Sequence, residues 1–309
     1  MAVVIPESSC RFGARRVRGV RTALLAAATA GLVAGAVSGC SGSGSGSSSD
    51  AASASAQVDG SSDVLSADPL TAVRSAADIT GRTGFVQDAT TLTTVSAAKQ
   101  MTLHGTAQYD YTTRLGRMVI TIPPGEGTTG RLTEVVSPGV VYMQNSGAKV
   151  PAGKWVEVDV QQLGDGNLVS SGATDPASAA NALRGAQTAA QTGSSTDDGV
   201  VLKEYQGTLN LAMAATATGG GAATGLSLAA QTFTVKAIPY QVWLDPHGRI
   251  HKIVETFTFS EKPGSTAPKD QVVVTSTSEF SDFGTPVQVS LPTPAEVYSA
   301  APSSKAASK

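Results

Sequence analysis

Side chains that could perform chemistry are few in this chain, and their spacing matches no catalytic template. The 309 residues include three histidines and two cysteines. His247 and His251 lie near Asp245, but His247 falls in a predicted turn and His251 on the strand after it, which fits no metal-site spacing. No Gly-x-Ser-x-Gly sequence supplies a hydrolase nucleophile. We expect these two histidines to be exposed hairpin residues, and we expect no enzyme activity, no cofactor and no metal.

The first 40 residues contain both cysteines and read as a targeting segment. Five arginines between Arg11 and Arg21 precede the uncharged stretch Thr22–Ala36. That stretch is too short to span a membrane, which takes about 20 apolar residues, but it is typical of a signal-peptide core. The segment ends in Val37-Ser38-Gly39-Cys40, which resembles the lipobox of bacterial lipoproteins.

In a lipobox the small residues fit the signal peptidase, and the cysteine thiol takes the diacylglyceryl group. We therefore predict a lipoprotein signal peptide over residues 1–39 and lipidation of Cys40. An ordinary signal peptide followed by a chance cysteine is the alternative. The pair Arg15-Arg16 also leaves export by a twin-arginine signal open.

Removal of the leader changes the charge and the cysteine chemistry. The leader holds five of the 22 basic residues and one of the 24 acidic ones, so the net charge falls from −2 to −6. An acidic chain lacks the basic face that nucleic-acid binding needs, so we expect no nucleic-acid partner. Because Cys10 is removed and Cys40 is acylated, the mature chain has no disulfide.

Residues 40–67 are rich in Gly and Ser and have almost no large apolar side chains. Such a sequence cannot bury enough surface to offset the entropy of ordering it. We predict a flexible tether with a root-mean-square span of about 25–30 Å, which would hold a folded domain near a bilayer.

Two helices are predicted, and an Asp-Pro pair opens each of them. Asp68 caps the first helix with Pro69 at its first position, and Gly81 and Gly84 end it. Asp175-Pro176 opens an Ala-rich helix that we expect to continue to about Gln191.

Most of the remaining sequence is rich in Val, Thr, Tyr and Phe, which favours strands. The loop Ala215–Gly225 reads as a flexible insertion. No strand–helix–strand alternation is present, so the sheet should be antiparallel. The predicted strands are Thr91–Val95, Met101–Thr113, Arg117–Ile122, Arg131–Val136, Val140–Gln144, Trp155–Val160, Val200–Ala215, Thr232–Leu244, Arg249–Ser260 and Gln271–Phe280.

Alternation along the strands predicts which side chains share a face. Tyr240, Val242 and Leu244 should face one way along their strand. In the strand after the hairpin, Ile253, Phe257 and Phe259 should share one face, with Ile250 and Val254 on the other. We therefore predict an α+β fold that is mostly β, a curved antiparallel sheet or open half-barrel with two or three helices over its concave face.

Four motifs in series resemble actinobacterial lipoproteins of the LppX/LprG type, within the LolA-like lipoprotein-carrier superfamily. They are VVYMQNSGAKVPAGKWVEVDV, the pair Asp175-Pro176, the hairpin Val242–Ile250, and the segment Phe280–Val287 followed by Leu291-Pro292. Their order and spacing fit over roughly residues 68–293. The resemblance implies a half-barrel whose helix-covered concave face encloses a cavity for acyl chains, and proteins that carry lipids or glycolipids without catalysis.

A lipid cavity would need apolar side chains from several strands. The same positions would serve equally well in an ordinary core. Our candidates for the cavity lining are Val119, Val141, Val158, Leu209, Val242, Leu244, Ile253 and Phe257.

The expected protein is a lipoprotein anchored through its acyl group to the extracytoplasmic face of the cell membrane, where it binds or carries a lipid or glycolipid. Residues 68–293 would form its one domain, and residues 294–309 a disordered tail. The alternative is a non-catalytic envelope lipoprotein with a filled core, which acts through protein partners.

Overall fold

A computed structural model describes residues 65–124, 130–145, 150–169, 175–262 and 264–298. All of them fall in one compact unit. The predicted signal peptide, Cys40 and most of the predicted tether lie outside the described residues. Within the described residues, no helix is both long and apolar enough to cross a membrane.

Eleven strands form one antiparallel sheet in the described part of the chain. Its order is β6-β5-β4-β3-β2-β1-β11-β10-β9-β8-β7, so β1 and β11 pair at the centre and the edges β6 and β7 do not meet. The sheet is curved and unclosed, which confirms the predicted open half-barrel. The strands are β1 Phe85–Val95, β2 Gln100–Asp110, β3 Leu115–Thr121, β4 Arg131–Ser137, β5 Val140–Gln144, β6 Trp155–Asp159, β7 Ala186–Asp197, β8 Val200–Leu209, β9 Ile238–Leu244, β10 Ile250–Ser260 and β11 Gln271–Ser281.

Alternation holds along β9, where Tyr240, Val242 and Leu244 are buried together as predicted. In β10 one assignment is wrong. Ile250 is fully buried rather than on the face opposite Ile253, because the register between β10 and β9 shifts between Ile250 and Lys252. A bulge of this kind changes the side on which the flanking residue lies.

The first helix, α1 Pro69–Gly81, is confirmed. The Asp68 carboxylate accepts a hydrogen bond of 2.8 Å from the Thr71 amide, and Val73 and Ala77 are buried on its inner face. The capping pair and the apolar spacing thus agree, and agreement between local signals is what makes a helix predictable from sequence.

The predicted start of the second helix is correct, but its predicted end is wrong. Helix α2 covers only Pro176–Ala182, a 3-10 turn follows, and β7 begins at Ala186, inside the predicted helix. Pairing of this segment with β8 overrides the weak helical preference of its Ala and Gln residues. The main-chain carbonyl of Ala186 also accepts a hydrogen bond of 2.9 Å from the Arg74 side chain.

Two helices were not expected. Helix α3, Leu211–Thr218, occupies the end of a predicted strand, and α4, Gly220–Thr232, replaces the predicted flexible loop. The Asn210 side chain caps α3 by accepting from the amides of Ala212 and Met213 at 3.0 and 3.1 Å. The described residues therefore contain four α-helices rather than two or three.

The described fold extends slightly beyond both predicted domain boundaries. The Leu65 amide donates to the Pro246 carbonyl at 3.0 Å, and the Leu65 side chain is buried. At the other end, Trp155 of β6 exchanges backbone hydrogen bonds with Glu296 and Tyr298. Residues 294–298 of the predicted tail are therefore held against the sheet edge.

Candidate functional site: the concave face and the cleft at the helices

The helices form one layer over the concave face of the sheet. Helix α2 contacts β2, β10 and β11, while α1 contacts β7 and β10. The side chains between the layers form one hydrophobic cluster, in which the rings of Phe233 and Phe257 stack with their centroids 4.8 Å apart. The concave face is therefore shielded from solvent by the helices.

Most of the predicted cavity positions face this interior. Val158 is partly buried against the same cluster. Val119 is partly exposed and outside the cluster, because its strand neighbours Met118 and Ile120 take the buried positions of β3. Side chains with at most 1% of their surface exposed are Val141, Leu209, Val242, Leu244, Ile253 and Phe257.

A cleft of about 510 Å³ opens between the helices and the β2–β5 side of the sheet. Its walls come from the end of α1, the residue after β2, the β4–β5 turn, α2 and the α3–α4 junction. Of the predicted cavity residues, only Val141 lines it. The volume lies within the range of small-molecule sites, about 300–1,000 Å³.

One wall of the cleft depends on two glycines. Gly166 has φ +60°, and a Cβ atom there would lie 2.0 Å from the Gly225 carbonyl oxygen. Only glycine at position 166 allows the loop after β6 to pack directly on α4.

The cleft rim is held by an ion pair between α1 and the 3-10 turn that follows α2. The Arg184 guanidinium donates to both Asp78 carboxylate oxygens at 2.7 and 2.9 Å, and its Nε donates to Asn181 at 2.9 Å. Because the Asp78 side chain is 56% exposed, we expect this pair to contribute at most about 1 kcal/mol to stability.

Two tyrosines and the buried carboxyl group of Asp175 lie together in the wall of the cleft. The rings of Tyr109 and Tyr111 meet edge to face with centroids 4.8 Å apart, and both residues line the cleft with Asp175. Burial raises the pKa of both phenols, and the nearby Asp175 carboxyl raises each further. Burial also raises the pKa of Asp175, although hydrogen bonds from Ser178 and Ala177 oppose this effect.

Asp88 of β1 has a similar environment. Burial raises its pKa well above the usual range, and Asp175 adds to the effect. Glu255 of β10 is a second buried acid of the sheet, with 1% of its surface exposed, and burial raises its pKa as well.

These acids were missed in the sequence, although a signal was present. Alternation places Glu255 between the inward-facing Ile253 and Phe257, and it places Asp88 between Val86 and Thr90 on the buried face of β1. An Asp or Glu at a strand position that alternation assigns to the buried, apolar face is the pattern that would have indicated them.

The prediction that His247 and His251 are exposed hairpin residues is correct for His247 and wrong for His251. His247 is exposed, as expected, but His251 is not: its side chain is 15% exposed, and its ring centroid lies 5.0 Å from that of Phe283. Asp245 accepts from the amides of His247 and Arg249, both at 2.9 Å, which holds the hairpin turn.

The Asp245 carboxylate also meets the Arg249 side chain at 2.6 Å and His251 Nε2 at 3.5 Å. Burial alone would raise the Asp245 pKa, but hydrogen bonds from His251 and Arg249 lower it overall. Within the described ranges, no group of three His, Cys, Asp or Glu side chains is placed to hold a metal.

Fold and site together define a helix-covered half-barrel with a cleft at its helical side. Among solved structures, the chain is similar to lipoprotein LppX of Mycobacterium tuberculosis, at 14% identity and a TM-score of 0.42 over 72% of this chain and 97% of that one. It is also similar to LprF of Mycobacterium bovis, at 13% identity and a TM-score of 0.42 over 74% and 99% of the two chains.

A LolA superfamily protein of Nitrosomonas europaea matches at 12% identity and a TM-score of 0.31 over 70% of this chain and 93% of that one. No protein-family model matches the chain. No curated protein sequence matches it either.

Proposed function

We propose that this protein is a lipoprotein, anchored through Cys40 to the extracytoplasmic face of the cell membrane, that binds or carries a lipid or glycolipid. The observation that carries the proposal is the concave sheet face, covered by four short helices, with a cleft of about 510 Å³ between them and the sheet. Because the helices pack through small side chains such as Ala179 and Ala180, separating them from the sheet costs less than separating large side chains would.

Acyl-chain burial would supply the binding energy. Each methylene removed from water contributes about 0.8 kcal/mol, so twelve methylenes contribute about 10 kcal/mol before the costs of association are subtracted. We propose no enzymatic role, because the sequence has no Gly-x-Ser-x-Gly motif and no group of three His, Cys, Asp or Glu side chains among the described residues is placed to hold a metal.

The anchor part of the proposal rests on sequence. Two or three acyl chains on Cys40 would hold the chain stably at a membrane, whereas a single chain gives only marginal binding. The Gly/Ser segment after Cys40 would let the domain turn toward the bilayer from which it takes its ligand.

Native mass spectrometry tests the binding function. The chain from Ser41 onward contains every described residue, and we expect it to co-purify with lipid from a lipid-rich host. Only apo protein, from several hosts and with gentle ionisation, would contradict the proposal.

A filled core is the second candidate, and one observation favours it. Six of the eight predicted lining residues are packed in the hydrophobic cluster with at most 1% of their surface exposed. The protein would then act in the envelope through protein partners. Crosslinking that recovers a specific partner, together with an empty lipid extract, would support this candidate over lipid binding.

A further inference from the structure

The two central strands carry several buried polar side chains on their concave face, and Ser276 of β11 is one of them. Asp88 and Thr90 of β1 are 4% and 2% exposed, and Ser278 of β11 is 1% exposed. Thr90 lies directly opposite Ser278 in the antiparallel register. Opposed residues of this kind have Cβ atoms about 4.5–5.5 Å apart, so the three side chains form one patch, the polar patch.

The polar patch has no hydrogen-bond partner of normal geometry. Both Asp88 carboxylate oxygens, the Thr90 hydroxyl and the Ser278 hydroxyl are buried without one. The Ser278 hydroxyl and the Glu279 amide lie near enough to Asp88 to favour its charged form, but not to satisfy it. A buried polar group left unsatisfied costs about 1–3 kcal/mol, so native proteins rarely keep several together.

Helix α2 covers this part of the sheet without supplying partners. Its buried residues are Pro176, Ala179, Ala180 and Ala182, which have no side-chain hydrogen-bonding groups. Its cap Asp175 presents a second carboxyl toward Asp88, and this carboxyl is already occupied by the amides of Ala177 and Ser178.

The charges around the polar patch are of one sign. The titratable groups that act on Asp88 are Asp175 of α2, Glu279 of β11 and the Tyr111 phenol beyond β2, and none is a cation. Among the described residues, every fully buried ionisable side chain that carries a formal charge at neutral pH is acidic. This interior therefore disfavours a carboxylate or phosphate and favours a cation.

We propose that Asp88, Thr90 and Ser278 form a subsite for the primary ammonium group of an amphiphile whose apolar part lies in the concave interior. This inference rests on the proposed lipid binding and adds the chemical class of the ligand. An ammonium group has three N–H donors, and the polar patch offers a carboxylate and two hydroxyl oxygens. Tyr109 and Tyr111, which line the cleft, provide aromatic faces that attract a cation, and the Arg114 side chain near Tyr109 opposes this attraction.

Binding of an ammonium group would be linked to pH. With its raised pKa, Asp88 holds a proton in the free protein at pH values where a solvated aspartate has lost it. The bound cation stabilises the carboxylate, so ligand uptake would release this proton. Below the Asp88 pKa, affinity should rise with pH by up to about tenfold per pH unit, and it should level off above that pKa.

Titration calorimetry with three twelve-carbon probes tests the proposal on the chain from Ser41. The probes are dodecylamine, 1-dodecanol and dodecanoate, each kept below its micelle concentration. We expect dodecylamine to bind at least about tenfold more tightly than dodecanol and dodecanoate to bind most weakly. Buffers of different ionisation enthalpy should reveal proton release with dodecylamine only.

Variants separate this proposal from the binding function itself. Asp88→Asn should abolish the preference for the amine while dodecanol still binds, and Ser278→Ala should reduce it several-fold. The control is Asp197→Asn, which removes an exposed carboxylate at the end of the edge strand β7 and should leave the preference unchanged. Equal affinities for amine and alcohol, or an unchanged preference in a folded Asp88→Asn protein, would overturn the subsite alone. If none of the three probes binds, the proposed lipid binding fails with it.

Discussion

Replacing Asp88 by asparagine should stabilise the protein at neutral pH, which is an unusual outcome for a fully buried residue. The Asp88 carboxyl is 4% exposed, no cation faces it, and burial raises its pKa well above the usual range. Asparagine has nearly the same shape and no charge, and its amide can donate to the hydroxyls of Thr90 and Ser278. The substitution therefore removes an electrostatic penalty without creating a cavity.

The sign follows from proton linkage. An acid whose folded-state pKa is raised binds more protons in the folded state than in the unfolded state, so stability falls as pH rises from about 4 through the folded-state pKa. An unsatisfied buried polar group costs about 1–3 kcal/mol, and the asparagine amide, which can donate to both hydroxyls, relieves part of that cost. In a domain of this size each kcal/mol raises the melting temperature by about 2–4 °C.

Thermal unfolding of wild type and Asp88→Asn between pH 3.5 and 8 measures this effect. We expect the variant to melt at least about 2 °C higher at pH 7, and the difference to shrink toward pH 4. The exposed Asp197→Asn variant should show no such trend. An Asp88→Asn protein that is less stable than wild type at pH 7, by the same amount as at pH 4, would refute the reasoning.

Three further predictions concern the core, helix α2 and the anchor. Phe257→Ala should lower the free energy of unfolding by about 3–5 kcal/mol in urea titrations, because it empties a fully buried site stacked on Phe233; a loss below 1 kcal/mol would contradict the packing. Asp175→Ala removes the cap of α2 and should cost about 0.5–2 kcal/mol, with faster amide exchange in α2 than in α1; equal exchange would argue that α2 does not open separately from α1. Cys40→Ala should abolish labelling by a palmitate analogue, and labelling equal to wild type would exclude the anchor.

Local sequence signals predicted the elements in which several of them agree. At α1, the Asp68 cap, the proline after it and the spacing of Val73 and Ala77 all favour the same helix. The end of β9 was predictable for the same reason, since alternation and the following Asp-Pro-His-Gly turn coincide, but the strand begins at Ile238 and not at the predicted Thr232, which belongs to α4. These predictions succeeded because the capping or turn residues and the spacing of apolar residues indicate the same element.

Elements that depend on distant contacts were predicted poorly. The Ala-Gln-Thr stretch of β7 has no strong preference, and it becomes a strand because β8 pairs with it. The Gly/Ala segment of α4 resembles a loop by composition, and it is helical where Leu226 and Ala229 pack into the core.

The candidate site was predictable only in outline. Sequence motifs pointed to a concave face covered by helices, and most chosen apolar positions do face the interior. The cleft itself is lined mainly by loop and helix-end residues such as Tyr111 and Asn167. Their convergence depends on the tertiary arrangement, which no spacing along the chain encodes.

Blocking the cleft gives the most direct test of lipid binding. Gly221 lines the cleft at the start of α4, and a Cβ atom there would meet Pro138 of the β4–β5 turn at an ordinary 3.6 Å. Gly221→Phe should therefore bridge the opening with little strain, and Ala190→Phe on the exposed edge strand β7 is the matched control. In native mass spectra of the chain from Ser41, we predict bound lipid in wild type and Ala190→Phe and at least a tenfold loss in Gly221→Phe. Equal lipid occupancy in all three proteins would contradict the account.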